Sequence, residues 1–365
     1  MDVTFNLFKV RFAILDDLLS SECKYLNKDS KVNIFINLEQ VMRKMLNVSN
    51  EKYSRVSSIN VKEFTSNVIN LASHYRLFFS KNKMYSRVYL YFPTPQSSYI
   101  NSSLVPEYRD SYYHNMTKHP RYKNLGNVIS DSIDIIQLIC EYIEGVYFIE
   151  SGSIENSLVP MIVNQEIDDS GFNNFIVSND PYDFQYVNYG FDIIYPKKEE
   201  SRIINKDNLI EFVKDKERVE SVSNPNTMTY PFILSIIGDK RRNIPKMSRM
   251  GLSTILKTID KAIADHIITD KTFNINLLTN IVRDDFKPIL LNNYYAIDLK
   301  SQLNMLCSHD LYFITKQVKD KYDDESLKKI NDLYFAEVPI QLMEVCSGTK
   351  FKDKQSSEDI FRLRR

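Results

Sequence analysis

Two stretches of this chain concentrate positive charge in the way that phosphate chemistry uses it. In "GDKRRNIPKMSRMG", residues 238–251, Lys240, Arg241, Arg242, Lys246 and Arg249 surround a proline-containing turn against a single acid, Asp239. Cations grouped like this attract phosphates without reading base sequence, and their grip weakens steeply with salt. The second stretch interleaves rings with cations: Tyr108, Arg109, Tyr112, Tyr113, Lys118, Arg121, Tyr122 and Lys123. Aromatic faces suit base stacking, and the cations suit the backbone. Each cluster also has a plainer reading, in which the arginines decorate a solvated loop and the tyrosines pack on the domain. Cysteine and histidine offer less, because Cys23, Cys140, Cys307 and Cys346 form no CxxC or Cys/His pair at zinc-ligand spacing, and of the five scattered histidines only His114 and His119 are near each other.

The elements that must position these clusters follow from periodicity. Residues 1–30 read as an amphipathic helical extension, and "KVNIFINLEQVM" as a buried strand running into a helix. "FTSNVINLASHYRLFF" has helical spacing, "SRVYLYF" is a second buried strand, and "VISDSIDIIQLICEYI" is a strongly periodic helix. Strand-like runs then alternate with helical ones: "GVYFIES" with "SLVPMIVNQ", "NNFIVSND" with "YDFQYV", and "FDIIYPKK" at the close. Such alternation predicts an α/β fold with a mainly parallel sheet flanked by helices. Ligands of these folds gather beyond the carboxyl ends of the strands, here near Asn37, Phe92–Pro93, Glu150–Ser153 and Ser178–Asp183. From about residue 228 the pattern turns helical. The expected layout is a helical extension (1–30), an α/β domain (31–227) containing an arch-like segment (94–127), a helical DNA-binding region (228–300), C-terminal helices (301–347) and a polar tail (348–365).

Lysine plus arginine and aspartate plus glutamate both total 47, so any nucleic-acid contact must be local and not the work of overall charge. Hydrophobic residues make up 43% and no run is long enough to span a bilayer, so no membrane partner is expected. The N-terminus lacks a secretory pattern, which gives an expectation of cytoplasmic location, in host cytoplasm if the source is viral. A composition rich in Asn, Ile, Lys and Tyr, without Trp, fits an AT-rich and viral genome.

Four segments in order, spanning roughly residues 31–300, resemble the flap endonuclease and bacterial or phage 5′→3′ exonuclease superfamily, whose core is a PIN-like domain. "VYLYF" with "YINSSLVPEYRDSYY" is similar to the strand and "YPEYK" segment that opens the helical arch. "GVYFIESGSIENSLVPMI" resembles the "EADDVIATLA" helix, and "FIVSNDPYDFQYV" resembles "IVSGDKDLLQLV". "GDKRRNIPKMSRMG" resembles "GDKSDNIPGVPGIG", the helix-hairpin-type (H3TH) turn that grips one DNA strand.

The resemblance implies two divalent cations, Mg²⁺ or Mn²⁺, held by a cluster of carboxylates. Carried over position by position, most of those acids are missing. Asn37, Pro93, Gly152, Ser153, Tyr182 and Arg242 stand where acids are expected. Glu150 and Asp180 keep their places, and Asp183 and Glu155 are near misses, so a reduced metal site would use Glu150, Asp180 and Asp183. The family's turn also binds K⁺, but of its glycines, which let the backbone reach the phosphate closely, only Gly251 is kept after Gly238, and this counts against K⁺ here.

The sequence therefore predicts a catalytically impaired member, without a cofactor, that binds duplex or branched DNA independently of sequence. Its expected DNA contacts are Lys240, Arg241, Arg242, Lys246, Arg249, Arg109, Arg121 and Lys123, and its tail is expected to dock replication or transcription proteins. The alternatives are an active 5′ nuclease with a reduced site using Mg²⁺ or Mn²⁺, and a protein-binding scaffold without DNA affinity.

Overall fold

The computed structural model describes residues 8–41, 61–93, 99–108, 125–143, 145–166, 171–197, 200–219, 225–240, 242–247, 251–265, 275 and 284–319. Six strands form one sheet: β1 (Lys31–Asn37), β2 (Tyr85–Phe92), β3 (Val146–Glu150), β4 (Phe172–Val177), β5 (Phe191–Tyr195) and β6 (Arg202–Ile204), in the order β3-β2-β1-β4-β5-β6. All neighbours run parallel except β5 and β6, which are antiparallel. The parallel strands read as near-continuous apolar runs because both of their faces are covered. The short edge strand β6 had no periodic signal of its own.

One face carries Val32, Ile34, Ile36, Val88, Leu90, Phe148, Phe175 and Val177 in a core with helices α1 (Phe12–Glu22), α2 (Val61–Lys81) and α4 (Leu125–Tyr142); the short helix α3 (Tyr99–Leu104) lies between α2 and α4 in sequence. The N-terminal helix is thus part of the core, not an extension from it: Leu15 and Leu19 are buried there. The opposite face holds a stacked ladder of Phe35, Tyr89 and Tyr147, with ring centroids 4.7 and 4.8 Å apart. Over it pack α5 (Val159–Glu166), α6 (Leu209–Glu217), α7 (Tyr230–Ile237), α8 (Leu252–Ala264), α9 (Lys287–Ile297), α10 (Leu299–Asn304) and α11 (Ser308–Lys319).

The chain steps outward from β1 to β2 and β3, then returns to place β4 on the other side of β1. This switch point parts the crossovers and opens a crevice at the carboxyl ends of β1 and β4. Asn37 ends β1, and Asp180 lies three residues beyond β4.

Candidate functional site

The crevice is built from short polar links between strand ends. Asn37 is buried, and its side-chain oxygen accepts from the Glu39 backbone N–H at 3.0 Å and from Asn156 Nδ2 at 2.9 Å. It caps the chain turn after β1. Gln40 donates to Asp183 at 2.6 Å, and the Ser178 hydroxyl bonds the same carboxylate at 2.7 Å. Burial pushes the Asp183 carboxyl up to about 7, with the charge of Asp180 adding to the rise and the Ser178, Arg242 and Gln40 interactions opposing it. Its second oxygen is buried without a partner.

Asp180 caps the 3-10 segment Pro181–Tyr189 by accepting from the Tyr182 N–H at 3.1 Å. Its carboxylate meets Arg242, whose Nη1 and Nη2 donate at 3.2 and 3.0 Å, while Nη1 also reaches Asp239 at 2.6 Å. The guanidinium lies over the Tyr182 ring, 4.2 Å from its centroid, and Glu155 Oε1 is 3.9 Å from Nε. Arg242 is only 2% exposed. Burial works against its charge, but Asp180 and Asp239, then Tyr108 and Glu155, outweigh it and hold the guanidinium well above its ordinary value.

Arg242 is therefore a correction to the expected DNA-contacting set, since a side chain enclosed by three carboxylates cannot reach an external phosphate. Lys240 and Lys246 are exposed on the same turn, while Arg241, Arg249, Arg109, Arg121 and Lys123 lie outside the described residues. Tyr108 is buried too, and its hydroxyl donates to Glu155 at 3.0 Å, so it packs against the crevice and does not present a stacking face.

The strand β3 side differs more from expectation. No helix starts at Gly152 and Ser153; these sit in a turn, and α5 begins at Val159 after the 3-10 segment Asn156–Leu158. The turn brings Glu155, not Glu150, to Arg242. The Glu150 carboxyl is raised by burial and by Asp134 on α4, away from the Asp180 cluster. Helix α11 covers this strand end. Gln317 pairs with the Glu150 backbone, accepting from its N–H at 2.8 Å and donating to its carbonyl at 2.9 Å, and Asp310 accepts from Ser153 at 2.9 Å and Tyr99 at 3.1 Å. Gly152, at φ +63°, leaves the room that Phe313 fills: a Cβ there would lie 2.9 Å from the ring. Tyr182 is packed beneath Arg242, bonded by Gln302, and Pro93 is buried at the end of β2.

The turn that follows α7 is closed by paired backbone bonds between Asp239 and Ile244, each 3.0 Å. Gly238 has φ +73° and ψ 172°, and a Cβ there would sit 2.7 Å from both Ile244 O and Lys246 N. Asn243 also takes a left-handed φ of 55° and donates to the Glu107 carbonyl at 2.8 Å. Gly251, which caps α8, has ordinary φ and open space around it.

No protein-family profile and no curated protein matches this chain. Among solved structures, the metal-bound T5 5′-exonuclease superposes with a TM-score of 0.54 at 12% identity, over 80% of this chain and all of that one. The T5 D15 protein crystallised with metal ions gives 0.53 at 12%, over 79% and 98%. A bacteriophage T5 D15 flap endonuclease variant, an aspartate-to-lysine "pseudo-enzyme-product complex with DNA and metal ions", gives 0.50 at 14%, over 86% and 99%. The chain has a PIN-like α/β fold similar to that of the T5 5′-exonuclease. On this fold the described residues at the strand ends do not fit a pair of divalent ions. The acids nearest the crevice are spread round a guanidinium, and among the described residues no three His, Cys, Asp or Glu converge to hold a metal. Among the described residues no helix is long and apolar enough to cross a membrane.

Proposed function

We propose that this chain is a nuclease-fold protein that binds DNA through the 238–247 turn without hydrolysing it, as a DNA-binding or structural subunit in replication, repair or transcription. The observation that carries this reading is the Arg242 guanidinium forked onto Asp180 and Asp239 inside the strand-end crevice. A hydrolytic centre of the two-metal kind needs those oxygens for cations that activate water and stabilise the leaving oxygen. Here they are already engaged by a guanidinium, which cannot coordinate water as a metal does. DNA affinity is supported by the exposed Lys240 and Lys246 on a turn closed by the paired Asp239–Ile244 backbone bonds and by the Asn243 bond to Glu107. It also gains support from the lysine variant of the T5 enzyme, described in complex with DNA although a cation replaces an acid. The AT-rich composition supports a viral source, and the C-terminal tail supports docking to a replication or transcription protein.

Fluorescence anisotropy on blunt and 5′-flap duplexes at low salt in EDTA, alongside incubation of the same substrates with Mg²⁺ or Mn²⁺, tests both halves. Binding without product is the expected result. Cleavage abolished by Asp180→Ala would establish an active nuclease instead, and absence of binding at low salt would leave a protein-binding scaffold.

A further inference from the structure

The acids of the crevice do not suit divalent ions, yet they still surround a cation, and that cation belongs to the turn. From this mismatch we infer that Arg242 is the resident cation of the site, a positioning residue that clasps the 238–247 turn to the strand ends in the place of metal ions. Asp239 belongs to the turn, Asp180 to the segment after β4 and Glu155 to the segment after β3; the guanidinium bonds or faces all three. Its planar fork meets both oxygens of Asp180 while its face lies on Tyr182, a combination that an ammonium cannot reproduce. Neutral hydrogen bonds also hold the turn and its neighbours: Asn293 donates to Ser235 O and Pro245 O, each at 2.9 Å, Asn243 to Glu107 O at 2.8 Å, and Tyr230 to Pro181 O at 2.9 Å. Among the described residues, Arg242 makes the ionic link between the turn and the strand-end acids. The exposed Lys240 and Lys246 lie two residues before and four after it, so their aim depends on a side chain that itself never meets solvent.

A two-metal protein would lose this anchorage on chelation, whereas a covalently attached cation cannot be removed. The wild-type protein is accordingly expected to melt at the same temperature in EDTA and in millimolar Mg²⁺ or Mn²⁺ at matched ionic strength. Arg242→Gln is expected to lower Tm by roughly 10 °C, to speed hydrogen exchange across 238–247 and to weaken DNA binding about tenfold or more. Arg242→Lys, which keeps the charge and loses the fork, is expected to fall between the two. A Tm that rises with metal beyond the ionic-strength control, or unchanged exchange in the turn of Arg242→Gln, overturns the inference. Should Arg242→Gln not fold, Asp239→Asn loosens the same clasp from its partly exposed side, and unchanged exchange there overturns it equally. The DNA arm alone rests on the proposed function: a wild-type protein without DNA affinity removes that function, while the melting and exchange arms still decide the clasp.

Discussion

Arg242 and Asp180, 62 residues apart in sequence, form a two-pronged buried ion pair at 3.2 and 3.0 Å between the turn and the segment that follows β4. The pair is fully desolvated, so its two halves are unequal to lose. Removing Asp180 would leave a buried guanidinium with Asp239 as its remaining close acceptor. Asp180→Ala is therefore expected to cost about 3–5 kcal/mol, read as a lower urea midpoint at unchanged m-value, because it strands a charge and does not expose new surface.

Gly238 opens the same turn with a backbone conformation that is close to glycine-only. Gly238→Ala is expected to cost about 1–3 kcal/mol from the dihedral alone, and more because the new Cβ meets backbone atoms of Ile244 and Lys246 that cannot swing aside. Gly251→Ala, with open space and ordinary φ, serves as the control and is expected to change stability little. Thermal melts of the two variants check the contrast; equal losses would mean that the turn is not as tightly closed as its hydrogen bonds indicate.

The parallel strands were legible in the sequence because each is buried on both faces and reads as an apolar run, and their ends correctly located Asn37 and Asp180. What the runs do not encode is where a loop charge points. Arg242 sits in a basic stretch that reads as solvated, and its burial depends on carboxylates contributed by distant segments. Gln317 and Glu150 are 167 residues apart, and no local pattern marks a glutamine side chain that pairs with a strand backbone. Glu155, a near miss in the motif register, enters the site because residues 151–155 form a turn where a helix was expected, which swings the acid inward. Amides such as Gln40, Asn156 and Gln302 gave one signal, being polar residues beside apolar runs, but that signal does not choose a partner.

Gly152 offers a way to lift α11 from the strand end. Gly152→Leu would place its side chain where Phe313 packs, at a φ that L residues rarely adopt. Faster hydrogen exchange across residues 308–319 is the expected outcome, with a stability loss of about 1–3 kcal/mol. Phe313→Ala, which vacates the space without backbone strain, is expected to loosen the helix less, since Gln317 and Asp310 still hold it. Unaltered exchange in Gly152→Leu would show that the helix is docked by other contacts.

His74 makes the N-terminal segment acid-sensitive. Burial depresses its imidazole to about 4, although its Nε2 donates to the Val10 carbonyl at 2.8 Å, an interaction that opposes the fall. An unfolded chain would take up a proton near pH 6.5 while the folded one resists until about 4. The unfolded state thus binds more protons between these values, so stability is complete above pH 6.5 and declines as pH falls toward 4, by on the order of 3 kcal/mol. His74→Phe is expected to flatten that part of the pH–stability curve, measured by urea denaturation at pH 7 and pH 4.5. A slope that persists undiminished would assign the acid sensitivity to other groups.

Salt dependence separates the two kinds of cation on the 238–247 turn. Lys240 and Lys246 are exposed, so each that contacts a phosphate releases counterions from the DNA on binding. Replacing both by alanine should weaken binding for every duplex sequence alike and lower the slope of log affinity against log salt by about 2. Arg242 is enclosed by Asp180, Asp239 and Glu155 and has no phosphate to neutralise. Its replacement by glutamine should shift affinity through the geometry of the turn while leaving the salt slope of the residual binding unchanged. Anisotropy titrations at several salt concentrations on the two variants decide the matter. A slope that falls by about 1 for Arg242→Gln would mean that the guanidinium leaves its acids and meets DNA directly.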